Sequence, residues 1–161
     1  MTATAHALVA GAIVAAIPDP AIALPLCFFS HFLMDAVPHW DFGTNWRGRS
    51  KLATGMVAIA DTLIGFTLTY FVFGGKVSLP ILLAAMTLGN LPDWFEAPYY
   101  IFFAKQSKKE LSPKASFWET LTYRIYKLEN VFHTKATFPF GVITQIATVA
   151  FFFVLLSPFK G

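Results

Sequence analysis

The sequence alternates between long apolar segments and short polar connections. Apolar segments with few charges occupy residues 3–17, 21–37, 52–73, 78–103 and 136–158. Pro18-Asp19-Pro20 separates the first two, and Gly74-Gly75-Lys76 separates the third from the fourth. Because a helix needs about 20 apolar residues to cross a bilayer, these segments predict membrane-embedded helices. The first, with only about 15 residues, should be tilted, partly buried or closely paired with its neighbour.

Residues 115–132 show a different pattern. Phe117, Leu121, Ile125, Leu128 and Phe132 recur at steps of three or four residues, while Arg124, Lys127 and Glu129 lie on other faces. This period is typical of an amphipathic helix. We expect this helix to lie along a membrane interface.

The composition agrees with a membrane protein. Hydrophobic residues make up 56% of the 161 residues and charged residues only 13%, whereas soluble domains carry roughly 25% charged residues. Together with the segment pattern, this predicts a single all-α integral membrane domain over residues 1–161, with about five membrane-embedded helices and one interfacial helix. The net charge of +3 arises from basic residues in short loops, so we expect contact with membrane lipids and no nucleic-acid binding.

The distribution of basic residues predicts an orientation. If the loops at 38–51 and 104–135 share a side, that side holds ten of the twelve basic residues: Arg47, Arg49, Lys51, Lys105, Lys108, Lys109, Lys114, Arg124, Lys127 and Lys135. Lys76 and Lys160 lie opposite. The positive-inside rule then places the two basic loops and the N-terminus of a multi-pass protein in the cytoplasm.

The densest polar stretch ends the second apolar segment: Ser30-His31-Phe32-Leu33-Met34-Asp35-Ala36-Val37-Pro38-His39-Trp40-Asp41. On a helix, His31 and Asp35 are four residues apart and project from one face. Pro38 should end the helix near Val37, which leaves His39 and Asp41 in the following turn. Imidazole and carboxylate together suit a divalent metal ion, with zinc expected first and manganese or iron as alternatives.

Further ionisable residues belong to the same side of the predicted bundle. His6 begins the first helix, His133 precedes the last, and Asp61 and Asp93 lie roughly 15 Å along their helices. A charge at the centre of a membrane helix costs about 2.5–3.5 kcal/mol, and no Lys or Arg lies within these two segments. A metal or a proton is therefore the expected partner. The predicted metal ligands are His6, His31, Asp35, His39, Asp41, Asp61, Asp93 and His133, with Asp61 or Asp93 as ligand or catalytic general base.

Simpler roles exist for several of these residues. His39 and Asp41 would cap a turn beside Trp40 at a membrane boundary, and Asp61 and Asp93 would be protonated packing residues. His133 would belong to a solvated interfacial loop. Asp19, between two prolines, is best interpreted as a turn carboxylate.

The chain resembles the YdjM-like family of bacterial and archaeal membrane-bound metal-dependent hydrolases. The resemblance rests on His6 before an Ala/Gly-rich helix, the block from Ser30 to Asp41, Asp61, the Asn90-Leu91-Pro92-Asp93 stretch, and the late His133. It implies a small helical protein of a prokaryotic inner membrane with a His/Asp metal site and hydrolase activity. The family's His-Arg-x-x-Thr-His-Ser type motif is absent from this chain, and Phe132-His133-Thr134-Lys135 is the nearest stretch.

The leading functional hypothesis is a metal-dependent hydrolase at the cytoplasmic membrane face, acting on a phosphoester or lipid-like anionic amphiphile. Carboxylates within a proline-containing apolar helix are also typical of ion or proton-coupled transport. A third interpretation is a non-catalytic scaffold whose metal stabilises the bundle.

Overall fold

The computed structural model describes residues 1–42, 48–104 and 111–157, and within these ranges the chain is helical without a β-strand. The helices are α1 (Ala3–Ala16), α2 (Pro20–Asp35), α3 (Lys51–Phe73), α4 (Leu79–Pro98), α5 (Phe117–Phe132) and α6 (Phe140–Leu156). A π-helical turn, Tyr99–Phe103, continues α4. The all-α prediction is confirmed. The basic residues Arg47, Lys105, Lys108, Lys109 and Lys160 lie outside the described residues.

The helices follow the predicted segments with local differences at two prolines. Helix α2 ends at Asp35, slightly before the expected boundary, and the backbone N–H groups of Ala36 and Val37 still bond back to Phe32 and Met34. Pro92 was expected to interrupt the fourth helix, but α4 continues through it to Pro98. The prolyl ring removes one donor without ending the helix, since neighbouring turns on both sides keep their hydrogen bonds.

Helix α1 occupies the centre of the bundle. It contacts α2, α3, α4 and α6, and ten of its 14 residues are buried. Small side chains allow this close packing: the helix is rich in alanine, and Gly65 of α3 lies against the backbone of Thr4. Four other helices therefore contact α1.

One helix in the described part of the chain is long and apolar enough to cross a membrane. This helix, α3, has 23 residues and a mean hydropathy of 1.8 in its most apolar window, of which 17% is buried. Its outward side chains include Leu52, Met56, Leu63 and Phe71. The apolar helices α1, α2 and α6 are shorter. By length and composition, the structure thus supports membrane association through α3.

Helix α5 turns its polar side inward. Thr122 and Glu129 are its buried residues, whereas Phe117, Leu128 and Phe132 from the predicted apolar stripe are exposed. The helix is attached to the π-helical turn by tyrosines: the Tyr99 and Tyr126 rings stack with their centroids 4.8 Å apart. The stripe therefore faces away from the bundle, and Glu129 points into it.

The contact between α1 and α3 generates a stability prediction. A Cβ atom on Gly65 would lie 2.6 Å from the Cα atom of Thr4, whereas one on Gly55 of the same helix would meet nothing within 4 Å. Gly65→Ala should lower the free energy of unfolding by about 1–3 kcal/mol through overpacking. Gly55→Ala should leave it unchanged or raise it by up to about 1 kcal/mol, because alanine favours helix. Thermal unfolding in detergent micelles measures both; equal effects would contradict this packing.

Candidate metal centre

All four histidines of the sequence converge at one end of the bundle. His6 comes from the first turn of α1, His31 from the last turn of α2, His39 from the connection after α2, and His133 from the residue that ends α5. The first three are fully buried, and the side chain of His133 is 13% exposed. The His6 and His31 rings stack with centroids 4.0 Å apart, and those of His39 and His133 lie 4.5 Å apart.

Asp35 lies between these two pairs of rings. Its Oδ1 atom is 3.2 Å from His6 Nε2 and 3.7 Å from His39 Nε2. Its Oδ2 atom is 3.6 Å from His31 Nε2 and 3.3 Å from His133 Nδ1. The amino group of Met1 also contacts Oδ1. One carboxylate thus touches all four imidazoles.

Three further carboxylates surround this core. Asp41 Oδ2 lies 2.6 Å from His133 Nε2, Asp93 Oδ1 lies 3.7 Å from His31 Nε2, and Glu129 Oε2 lies 3.8 Å from the same nitrogen. Lys135 Nζ is 3.9 Å from Asp41 Oδ2. The His31–Asp35 pair, which helical spacing aligns, is therefore part of a larger cluster. Its residues come from α1, α2, α4, α5 and the two connections that follow α2 and α5.

Backbone pairing holds the two connections together. The segment after α2 and the segment after α5 form a parallel bridge between His39 and Lys135. The His39 N–H donates to Thr134 O over 3.0 Å, and the Ala136 N–H donates to His39 O over 2.7 Å. The Thr134 N–H reaches Asp35 O at 2.9 Å. This pairing places His39 and His133 side by side although they are far apart in the sequence.

Carbonyl groups set the protonation of two imidazoles. His31 Nδ1 lies 2.9 Å from Gly89 O, and His39 Nδ1 lies 2.8 Å from Val37 O. A carbonyl can only accept, so each Nδ1 carries the hydrogen and donates it. In the neutral ring, Nε2 then presents a lone pair to the cluster. This is the arrangement by which metal-binding histidines are usually oriented.

Several buried nitrogen and oxygen atoms of the cluster lack a hydrogen bond. Within residues 1–42, 48–104 and 111–157, His6 Nε2, His31 Nε2 and Asp35 Oδ2 have no hydrogen-bond partner. An unsatisfied buried polar atom costs about 1–3 kcal/mol, so native proteins rarely leave three together. A cation would satisfy all three at once, since each offers a lone pair toward the same space.

The distances within the cluster suit metal ligands. Tetrahedral ligands about 2.0–2.1 Å from a zinc ion lie about 3.3–3.4 Å from one another. The contacts from the four imidazoles to Asp35 range from 3.2 to 3.7 Å. Two sets of three ligand atoms lie within 4.8 Å of one another: His6, His31 and Asp93, and Asp35, His39 and His133. These residues could hold a metal ion, and the donor chemistry of imidazole and carboxylate fits one.

Two carboxyl groups outside the apolar helices have shifted pKa values. Burial would raise the pKa of Asp41, but hydrogen bonds from His133 and His39 and the charge of Lys135 outweigh it and hold the pKa well below its usual range. Burial raises the pKa of Glu129 to about 8, and the charges of Asp93 and Asp35 add to the rise. Asp41 is therefore a carboxylate at neutral pH, whereas Glu129 needs a nearby cation to ionise fully.

Asp61 is the predicted ligand that the structure places elsewhere. Its carboxylate accepts hydrogen bonds from Ala3 N at 2.7 Å and from Thr4 N at 3.2 Å and Oγ1 at 2.7 Å. These groups form the N-terminus of α1, where a negative charge is favoured by the unpaired N–H groups. The structure thus gathers His6, His31, Asp35, His39, Asp41, Asp93 and His133 in one cluster, with Asp61 beside them as a cap on α1. Asp19 caps α2 by accepting from Ala21 N at 2.9 Å.

Sequence reasoning did not include Glu129 in the cluster. The sequence pattern places it only on a face away from the apolar stripe of the amphipathic helix. A usable signal existed, because Glu129 precedes His133 by four residues, the same spacing that links His31 and Asp35. Reading the acidic residue and the histidine as a pair on one helix face would have found it.

A cavity of about 140 Å³ opens beside the cluster between α3 and α4. Asp41, Asp93 and His133 form its polar wall, and the Asp93 side chain is 35% exposed. The remaining lining is largely apolar or aromatic and includes Phe42, Ala58, Trp94, Ala97, Tyr100 and Ile101; Asp61, Glu96 and Lys135 also line it. The cluster therefore has one accessible edge while its other ligands are buried.

Comparisons with protein-family models, with curated proteins and with solved structures found no match to this chain.

The position of Asp61 leads to a prediction that separates capping from metal binding. Asp61→Ala should lower the free energy of unfolding by about 1–2 kcal/mol, because α1 loses its capping acceptor, and should leave the bound metal unchanged. Thr4→Ala removes one of the same hydrogen bonds and should cost less. Thermal unfolding and metal analysis of the purified variants measure the two effects.

Asp93→Ala is the matched comparison for Asp61→Ala, since it removes a carboxylate from the His6 and His31 set and should reduce bound metal. Loss of metal from Asp61→Ala, with stability unchanged, would instead assign Asp61 as a ligand.

Proposed function

We propose that this chain is a membrane-embedded, metal-dependent hydrolase, with zinc as the first expected metal and manganese or iron as alternatives, acting on a phosphoester or lipid-like substrate. The observation that carries the proposal is the open edge of the His/Asp cluster. Structural zinc sites are closed by protein ligands, whereas catalytic sites keep a position for water or substrate. Here Asp93 and His133 face a cavity while His6, His31 and His39 are buried.

Some residues of the cluster would bind the metal, and others border the cavity. His6, His31, Asp35 and His39 would hold the metal, and the carbonyls of Gly89 and Val37 orient two of them. A divalent ion in such a site supplies Lewis acidity and lowers the pKa of water. Asp93 borders the cavity and is placed to accept a proton from an attacking water, or to serve as a ligand. Asp61 lines the same cavity farther along α3.

The cavity supports an anionic amphiphilic substrate. Phe42, Trp94 and Ile101 offer an apolar wall, and Lys135 stands at the polar end near Asp41. An ammonium group attracts a phosphate or carboxylate head group, while the apolar wall accommodates hydrocarbon. A phosphoester with an apolar tail would place its phosphate near Lys135 and its tail along the apolar wall.

We propose a multi-pass position in a prokaryotic inner membrane with the N-terminus in the cytoplasm. The exposed apolar surface supports the membrane position, and the basic loops support the orientation. Exposed apolar side chains cover α2, α3 and α6 as well as the outer stripe of α5, among them Phe29, Leu63, Phe132 and Phe151. Apolar surface of this extent is unusual on a soluble protein. In this arrangement α5 lies at the interface, with its apolar stripe toward lipid and Glu129 toward the cluster.

The activity prediction compares a variant of a proposed metal ligand with a variant of a carboxylate outside the cluster. Protein purified in detergent and loaded with Zn²⁺, Mn²⁺ or Fe²⁺ should hydrolyse a water-soluble aryl phosphate or phosphatidic acid. Loss of a residue that merely orients a ligand typically costs 10–100-fold in activity, so His31→Ala should cost at least about 100-fold. Asp19→Asn, which alters only the cap of α2, should retain activity.

Phosphate release assays on both substrates, together with metal analysis, decide the outcome. Equal, low turnover by wild type and His31→Ala would reject the hydrolase. If chelation lowered the melting temperature of a protein that turned over neither substrate, the scaffold interpretation would replace the hydrolase. A metal could stabilise the fold in this way because its ligands come from several separate elements.

The orientation is tested by cysteine labelling. In a Cys27→Ala background, Lys76→Cys lies in the turn between α3 and α4, and Lys114→Cys lies before α5; both positions are exposed. A membrane-impermeant maleimide should label Lys76→Cys in intact spheroplasts and Lys114→Cys only after lysis. The reverse pattern would invert the topology, and labelling of both in intact spheroplasts would exclude the multi-pass arrangement.

A further inference from the structure

We infer that the cluster is a two-metal centre in which Asp35 bridges the ions. The inference deepens the proposed function, on which it rests, by giving the number of ions and the ligands of each. One ion would lie between His6, His31 and Asp93, and the other between His39 and His133. The two sets share no histidine; Asp35 groups with the second set and also contacts both histidines of the first.

The number of donor groups argues against a single ion. Four imidazoles and four carboxylates meet here: His6, His31, His39, His133, Asp35, Asp41, Asp93 and Glu129. A zinc ion takes four protein ligands at most in a structural site, and an octahedral ion such as manganese takes six. One ion would therefore bind at most six of the eight groups. Among the described residues, the atoms without a hydrogen-bond partner include His6 Nε2 and His31 Nε2 of the first set and Asp35 Oδ2, which is grouped with the second set.

The geometry of Asp35 is that of a bridging ligand. Each of its oxygens contacts one histidine from each set: Oδ1 lies near His6 and His39, and Oδ2 lies near His31 and His133. If Asp35 bound only one ion, we would expect its carboxylate to contact the histidines of a single set. Bridged ions in two-metal hydrolytic sites stand about 3.5–4 Å apart, a separation that a single carboxylate spans.

Two further carboxylates lie beside the two sets. Glu129 Oε2 lies 3.8 Å from His31 Nε2, next to the first set. Asp41 Oδ2 lies 3.6 Å from His39 Nε2 and accepts a hydrogen bond from His133 Nε2 over 2.6 Å, so it orients His133 and leaves His133 Nδ1 facing Asp35. Asp93 and His133 both border the cavity, one from each set. A substrate in the cavity would therefore meet both ions.

Metal stoichiometry tests the inference on the full-length chain. Purified wild-type protein, dialysed against excess Mn²⁺ or Zn²⁺ and then desalted, should hold two ions per chain by elemental analysis. His6→Ala/His31→Ala and His39→Ala/His133→Ala should each hold one, and Asp35→Asn fewer than two. Asp61→Asn and Asp19→Asn, which alter capping carboxylates, should hold two.

Electron paramagnetic resonance of the manganese-loaded wild type gives a readout that needs neither activity nor variants. Exchange-coupled spectra at two ions per chain would establish the bridge, and uncoupled spectra at one ion per chain at saturation would overturn it. Two coupled ions without phosphoester turnover would support the two-metal centre and reject the hydrolase. Phosphoester turnover at one ion per chain would support the hydrolase and reject the two-metal centre.

Discussion

The structure depends on one contact: the Asp35 carboxylate buried among four imidazoles. Removing a carboxylate from water costs several kcal/mol unless cations or donors surround it. Here the Met1 amino group contacts Oδ1, and the four rings around the carboxylate come from α1, α2 and the two paired connections. Every element that supplies a ring is thereby held to one end of the bundle. The central place of α1 follows from the same constraint, because His6 must reach Asp35 from the first turn of that helix.

Part of this arrangement could be predicted from the sequence. The apolar segments and their breaks at Pro18-Asp19-Pro20 and Gly74-Gly75-Lys76 locate the helices closely, since burial against lipid or protein produces the same uncharged pattern. The pairing of His31 with Asp35 is local helix geometry. The amphipathic helix was also located, because its period of three and four residues is a property of the helix itself.

The parts that depend on tertiary packing were harder to predict. Asp61 has the same sequence character as Asp93, an isolated acid in an apolar helix, yet its neighbour is the start of α1, which no periodicity reveals. Glu129 lies inside the bundle because α5 turns its polar side inward and exposes its apolar stripe, an orientation that the period of the pattern does not specify. The continuation of α4 through Pro92 likewise depends on the helices around it.

The bridge between His39 and Lys135 bears on the order of biosynthesis. Backbone hydrogen bonds between two segments position His39 and His133, and His133 is synthesised 94 residues after His39. Until the later segment is made, Asp35 lacks the His133 ring and His39 lacks its backbone partner. The polar cluster therefore becomes complete only after synthesis has passed α5, and capture of a cation by the full cluster would be a late event in maturation.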